Sequence, residues 1–432
     1  MTTNRVIVND CASPPVRGLT HLRTRDTDYG PQNATFVYDR VVNGLPDRLT
    51  PLQQDWLDIL SALFAADLTC LRGAERDWAR DIEIWIGVRQ PDHWRPLADH
   101  FRRVFSALTY DRIQINFEAA ASHRPPPRQH NRAFRTPTAV ALLSGGLDSL
   151  VGGGRLVADG EIPLFVSHQN SGIVGRALES VTKGIDCLGP TSGRRSFTAQ
   201  VHGTRTENTQ RSRSMLYMGV ACLMASSFDL PDVYLNENGI MAINAALTEA
   251  RAGSYSTRTA SPPVVREFGR LASRALDHPL TVRNLLVRST KPEVVQDAVD
   301  LSLESVVPET VSCWSIGRRA KHCGYCVPCL VRQISCEYTG VTDAPYKHRP
   351  LDDIPDSAPW RRTAMDNIVH LGAQVTAIAE ADDAQLELDL TDLVNGGDQI
   401  TRDESFEMHR RWADQAIAVL RAHPVSARLL GI

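Results

Sequence analysis

Residues 139–151 read AVALLSGGLDSLV, and this stretch decides the fold. Ala139 to Leu143 is a short apolar run. Ser144-Gly145-Gly146-Leu147-Asp148-Ser149 follows at once, and Leu150 and Val151 open a helix. A turn at the carboxyl end of a parallel strand enters the crevice where α/β sheets bind ligands. The helix behind it presents unpaired backbone N–H groups and a partial positive charge, which suit a phosphate. Gly145 and Gly146 let the backbone approach an anion without a Cβ in the way. Ser144 and Ser149 add hydroxyl donors. Asp148 would be repelled by a bare phosphate, so its expected role is to hold an Mg2+ ion that the phosphates share. The plain alternative is a glycine turn capped by Asp148 and Ser149; the ordered six residues between a strand and a helix favour a nucleotide site. Without Gly-Lys-Ser/Thr this is not a Walker A loop, and hydrolysis at the γ phosphate is the less favoured chemistry.

Outward from the loop the alternation continues. Leu164 to Ser167 and Val233 to Leu235 are predicted strands, and Ser214 to Phe228, apolar and free of proline, a buried helix. Strands alternating with helices imply a parallel sheet wound by right-handed crossovers. His168-Gln169-Asn170 follows the second strand, which places His168 for adenine or ribose. Asn236-Glu237-Asn238-Gly239 follows the third and faces the same crevice. Glu237, with Asn238, is a candidate for a polar base edge or a cation, against a turn-residue reading. Ser254 to Pro262 is a polar loop, suited to closing over a substrate or to an ordinary surface.

Cys313, Cys323, Cys326 and Cys329 offer four soft ligands with two Cys-x2-Cys turns, a set that suits tetrahedral Zn2+. Gly324 permits a tight turn and Pro328 stiffens the next. A redox pair would leave two cysteines without a purpose, whereas spacing does not separate zinc from an iron–sulfur cluster. With four protein ligands the metal has no open position, so its role is structural. His322 reads as a neighbour of the set. The total of nine cysteines is odd, and a disulfide framework is not expected in so long a chain. Cys222 reads as a core residue.

The first 120 residues read as an α/β unit. Its strands fall at Arg5–Val8, Thr35–Tyr38, Ile82–Val88 (alternating, one face buried) and Ile113–Phe117. Its helices start at Thr50-Pro51 and run from Leu97 to Leu108. A Pro/Arg-rich linker covers 121–136, the phosphate-loop domain 137–343, and a helical extension 344–432. In the extension, helices are predicted at Asp366–Ala379 and Glu407–Ala422, with the acidic stretch 381–403 as a solvated connector. The fold class is therefore α/β: a doubly wound parallel sheet with a zinc knuckle, an N-terminal α/β domain and a C-terminal helical extension. Of the 432 residues 42% are hydrophobic and 22% charged, and the net charge is -3. That balance supplies a large core and gives no electrostatic case for nucleic acid. With no run approaching ~20 apolar residues and no signal-peptide pattern, a cytoplasmic location and no membrane partner are expected.

The six-residue loop resembles that of the PP-loop family, of adenine nucleotide alpha hydrolase-like fold, which splits ATP between its α and β phosphates. Loop and cysteines together resemble 7-cyano-7-deazaguanine synthase over Thr138 to Gly340. The likeness is carried by residues 144–149, by Arg213 ahead of the apolar helix, by Thr290-Lys291-Pro292-Glu293, and by Cys323-Gly-Tyr-Cys-Val-Pro-Cys329. It implies ATP-dependent adenylation of a 7-carboxy-7-deazaguanine carboxylate, attack by ammonia to give an amide, and a second activation to give the nitrile. Asp148, Arg213 and Lys291 would be the catalytic residues; for the two cations the plain reading is a solvated side chain. The usual family enzyme is much shorter. Enlarged relatives resemble synthase-like components of bacterial anti-phage defence operons, which adds a protein amine as an alternative acceptor and operon subunits as partners. Two other readings stand beside this one: a non-catalytic nucleotide-binding defence subunit, and a PP-loop tRNA-modifying enzyme. The near-neutral charge and the clustered cysteines count against the last.

Overall fold

The computed structural model describes residues 3–8, 11, 20–22, 34–72, 79–121, 135–169, 172–202, 207, 211–245, 258–313, 322–394 and 396–432. The expected linker falls largely outside them, as do Asn170 and residues 254–257 of the polar loop. Two sheets carry the fold. The first is all parallel, with β1 (Asn4–Val8), β2 (Thr20–Leu22), β4 (Asp81–Val88) and β5 (Arg112–Ala119) in the order β2-β1-β4-β5. The second has six strands in the order β10-β9-β6-β7-β8-β3. These are β3 (Ala34–Val37), β6 (Ala139–Leu142), β7 (Pro163–His168), β8 (Arg194–Val201), β9 (Asp232–Leu235) and β10 (Thr281–Asn284). All neighbours in it run parallel except β3, which lies antiparallel to β8 with Ala34 opposite Val201. A strand from the first forty residues thus closes the edge of the phosphate-loop sheet.

β6 is flanked by β7 on one side and β9 on the other. The chain winds outward from β6 through β7 and β8, then returns to lay β9 and β10 on the opposite side. The carboxyl ends of β6 and β9 therefore flank the point where the winding reverses, the usual ligand crevice of an open α/β sheet. β8, which begins with two arginines, and the four-residue β10 lack apolar periodicity and were not expected from the sequence. β4 differs from its expected single buried face: Ile84 to Val88 are buried throughout. Its Ile82, Ile84 and Ile86 join the main core, while Trp85 packs with Ile7 and Cys11 on the other side.

The two sheets share one core. Helix Pro51–Thr69 starts from a capping box in which Thr50 and Gln53 satisfy each other's backbone N–H groups. Its Trp56 is fully buried and donates Nε1–H to the carbonyl of Gly219 at 2.8 Å, in helix Arg213–Ser227. Trp94, Phe101 and Phe268 surround the Trp56 ring. Cys222 lies in the same core, fully buried as expected. A buried polar knot adds direction. Arg80 bonds both Asp67 and Asp111, and Asp67 accepts from the Ser212 hydroxyl at 2.6 Å, immediately before Arg213. Each buried charge here has an opposite partner, which its desolvation requires.

The C-terminal helices run Arg361–Glu380 and Arg402–Ala422, each starting earlier than expected, and Pro424–Leu430, which was not expected. The acidic stretch is not a bare connector: Asp382 accepts from the Gln385 N–H and starts helix Asp383–Asp389, which buries Leu386. Acidic residues at a helix start are caps as much as solvated charges. Trp56→Ala should destabilise the whole chain by about 3–5 kcal/mol, read from urea unfolding. A loss confined to one of two separate transitions would show that the two sheets do not share a cooperative core.

Candidate active site and metal centre

The phosphate loop joins β6 to helix Leu147–Ala158, with Gly146 at the N-cap in extended conformation. Gly145 has φ +80°, a conformation open to glycine at little cost, and a Cβ there would stand 3.2 Å from the Leu178 backbone nitrogen. Its carbonyl accepts the Val311 N–H at 2.9 Å. The Ser149 hydroxyl donates to the Gly146 carbonyl at 2.9 Å, and the exposed Ser144 Oγ accepts from the Gly146 N–H at 3.3 Å. The two serines thus shape the loop itself. The start of the helix carries no side-chain cap from Gly146, which leaves its first N–H groups without that partner.

Asp148 sits in the first turn of that helix and is buried. Two segments that follow neighbouring strands converge on it. At the start of helix Lys291–Asp300, beyond β10, Lys291 Nζ reaches Asp148 Oδ1 at 2.6 Å. From β9, Asn238 Nδ2 donates to Asp148 Oδ2 at 2.9 Å. Asn238 Oδ1 meanwhile accepts from the Met241 N–H, which fixes the amide so that its donor end faces the carboxylate. Glu237 shares a hydrogen bond with Asp148. Burial and then the Asp148 charge push the Glu237 carboxyl well above the usual range, with Lys291 opposing. Burial works against the Asp148 charge as well, but Lys291 and the hydrogen bonds from Asn238 and Glu237 outweigh it and hold Asp148 low. The cluster is thus an ionised Asp148, a cationic Lys291 and a Glu237 that keeps its proton to unusually high pH.

Asn284, at the end of β10, fixes the Glu237 backbone: it accepts the Glu237 N–H at 3.1 Å and donates to its carbonyl at 2.8 Å. Sequence reasoning missed Asn284, and an Asn closing a strand opposite an Asn-Glu-Asn turn is the only local signal for it. Arg213 lies apart from this cluster. It is half-buried, with its guanidinium 5.6 Å from the Tyr217 ring centre, and makes no hydrogen bond or ion pair among the described residues. His168 is enclosed: Nε2 accepts the Ala199 N–H at 3.1 Å, so Nδ1 carries the proton and donates to Tyr217 Oη at 2.7 Å. Burial, then the Arg213 charge, push its pKa down to about 4. Both ring nitrogens serve the protein interior, and neither is left for adenine or ribose.

The four cysteines come together. Their sulfurs all lie within 4.8 Å of one another, with Cys313 to Cys326 at 3.9 Å and Cys323 to Cys329 at 3.8 Å. A tetrahedral zinc with ~2.3 Å bonds has sulfur–sulfur edges of ~3.8 Å. These gaps suit one ion; a multi-iron cluster would hold its thiolates further apart. The Cys323 and Cys326 N–H groups point at the sulfurs of Cys313 and Cys323, offsetting thiolate charge. Gly324, at φ +89°, has the His348 carbonyl where a Cβ would stand. His322 stays outside the set, with Nε2 accepting from the Ser312 N–H at 3.2 Å.

Residues 224–340 match the model of the family described as Queuosine biosynthesis protein QueC. This segment is QueC-like. It covers a little over a quarter of the chain and holds β9, Glu237, Asn238, β10, Lys291 and all four cysteines. The match indicates an ATP-dependent synthase of the PP-loop type, and the Gly145-Gly146 loop lies upstream of the matched residues. No curated protein matches the chain. Among the described residues no helix is long and apolar enough to cross a membrane.

The four-cysteine cluster is tied to the Gly145-Gly146 loop. Arg332, in helix Val327–Thr339, is fully buried and pairs with Asp343 at 2.6 Å. Nη1 donates to the Thr310 carbonyl and to the Thr310 and Ser312 hydroxyls, and Nη2 donates to the Val307 carbonyl as well. Between Thr310 and Ser312 stands Val311, the residue that holds Gly145. The helix that begins at the cysteine cluster therefore holds the segment that braces the loop. Cys329→Ser should lower bound zinc from about one ion per chain towards none, measured by elemental analysis. Arg332→Leu, which leaves Asp343 buried without its cation, should cost about 3–5 kcal/mol, measured by denaturant titration.

Proposed function

We propose that this protein uses ATP to adenylate the carboxylate of a 7-carboxy-7-deazaguanine-like deazapurine, followed by amide and nitrile formation or by transfer to a protein amine, in bacterial anti-phage defence. The observation that carries this reading is the meeting of Asp148, Asn238, Glu237 and Lys291 beside the Gly145-Gly146 loop, at the point where the sheet's winding reverses. The QueC match across two of the three contributing segments supports it. A neutral Asp148–Lys291 pair is well suited to a triphosphate arriving with a divalent cation: the lysine is released to a phosphate and the carboxylate to the metal. Asp148 and Glu237 would hold Mg2+, which neutralises charge on the phosphates. Ser144, Gly145, Gly146, Leu147 and Ser149 would cradle the phosphates, and Arg213, whose guanidinium is uncommitted, would offer a planar donor fork.

The chemistry is then positioning and charge neutralisation. The substrate carboxylate oxygen attacks the α phosphorus, the bond to the β phosphate's bridging oxygen breaks, and pyrophosphate leaves. An amine attacks the acyl carbon and AMP departs with the bonding pair, giving an amide. For the nitrile, the amide oxygen takes a second adenylyl group and leaves with AMP as two protons are lost. A cavity of about 350 Å³ between helix Ala98–Thr109 and the turn that begins at Asn238 is our candidate for the base. Val104, Ile243 and Val264 line it with apolar surface, and Asn244 and Glu267 offer polar edges. The domains at 1–120 and 344–432 are assigned to acceptor recognition and support, and the location to the cytoplasm.

Incubation with ATP, Mg2+, 7-carboxy-7-deazaguanine and ammonium should yield AMP, pyrophosphate and a modified base by mass spectrometry. Asp148→Ala and Lys291→Ala should each reduce AMP release by at least about a hundredfold. AMP formation that survives both substitutions would sink the assignment, and no AMP under any condition would favour a binding subunit. A pH effect also follows. Cation binding between Asp148 and Glu237 must expel the Glu237 proton, so affinity for Mg2+ with nucleotide should rise with pH through the raised Glu237 value. Calorimetry in buffers of different ionisation heat should show proton release that Glu237→Gln abolishes.

A further inference from the structure

Helix Arg402–Ala422 lies far along the chain from the phosphate loop, yet it grips the base of Lys291. Lys291 is the first residue of helix Lys291–Asp300, and Thr290 caps that helix. Thr290 Oγ1 accepts the Glu293 N–H at 3.3 Å, and Glu293 Oε2 accepts the Thr290 N–H at 2.8 Å. Those two bonds already complete a capping box. The C-terminal helix engages both halves of it again. Thr290 Oγ1 donates to Gln415 Oε1 at 2.8 Å. Arg411 Nε donates to Glu293 Oε1 at 2.7 Å, and its Nη2 to Glu293 Oε2 at 3.3 Å and to the Arg288 carbonyl at 3.0 Å. Arg411 and Gln415 are four residues apart and so share one face of the helix. A guanidinium held by two oxygens fixes direction as well as distance, and this one holds the chain on both sides of Lys291.

We propose that Arg411 and Gln415 are positioning residues that seat Lys291 against Asp148, which makes the C-terminal helix a working wall of the nucleotide site. The proposal rests on the reading of Lys291 as a phosphate-facing cation. Arg411 and Glu293 are both partly exposed, and such pairs add little to stability. Their effect belongs in nucleotide binding and its pH dependence, not in the melting temperature.

The test measures affinity for the non-hydrolysable α,β-methylene-ATP with Mg2+ by calorimetry across pH, on the full chain. Arg411→Ala and Gln415→Leu should each weaken binding by about tenfold with the thermal midpoint nearly unchanged. Their acidic limb should move to higher pH, because Lys291 no longer stands where it keeps Asp148 ionised. Gln415→Glu, which retains an acceptor for Thr290, should restore affinity. Arg411→Lys keeps the charge without the fork and serves if Arg411→Ala does not fold. Lys291→Ala is the reference. Wild-type affinity and pH profile in the Arg411 and Gln415 variants, with Lys291→Ala defective, would overturn the proposal. A Lys291→Ala protein that binds like wild type would instead overturn the reading of Lys291 on which it rests.

Discussion

A carboxylate taken out of water must be met by a cation and hydrogen-bond donors or give up its charge. Asp148 meets that demand in the first turn of the helix behind the phosphate loop. Lys291 brings the start of the helix beyond β10 to it, and Asn238 brings the turn after β9. Those two contacts join the segments that follow β6, β9 and β10 at one point, and that point lies where the winding of the sheet reverses. Glu237 then holds a proton that its neighbours make hard to lose. The crevice is thus built around a charge balance that leaves the buried Asp148 carboxylate matched.

The phosphate loop is braced from outside as well. Val311 holds the Gly145 carbonyl, and Arg332 holds the residues on either side of Val311. Arg332 belongs to the helix that starts at Cys326, so the cysteine cluster stands at one end of a series of contacts whose other end is the loop. Four cysteine ligands would leave a bound metal no open position for a substrate. Such a metal would supply a fixed point in a segment with few apolar contacts. Preorganised donors need such support if they are to remain aimed at a developing charge.

Much of this was legible in the sequence, where function is written in short contiguous motifs. Residues 144–149 between a strand and a helix, and four cysteines at knuckle spacing, specify local geometry that backbone physics enforces on its own. The Thr50-Pro51 helix start likewise describes bonds within a single turn. What escaped was long-range. β8 opens on Arg194 and Arg195, and its polar alternation conceals a strand that is paired on both sides. Asn284 acts across a strand boundary on residue 237, and no periodicity encodes that pairing. His168 was placed correctly at a strand end, yet the interior claimed its ring because Tyr217 and Ala199 lie where only folding brings them. The C-terminal helix reads as an ordinary amphipathic segment until its partners at 290 and 293 are known.

The placement of β3 bears on how the chain is made. Residues 34–37 pair with residues 198–201, so this edge of the sheet cannot close while the ribosome is still building the intervening chain. During that interval a short apolar strand stands open, and such an open edge is what stray chains pair with. Contacts of such wide sequence separation form slowly, because a long loop must be closed before any of them is made. Residues 34–37 are thus made early and seated late, while the strands of the first sheet on either side of them in the chain have all their partners before residue 120.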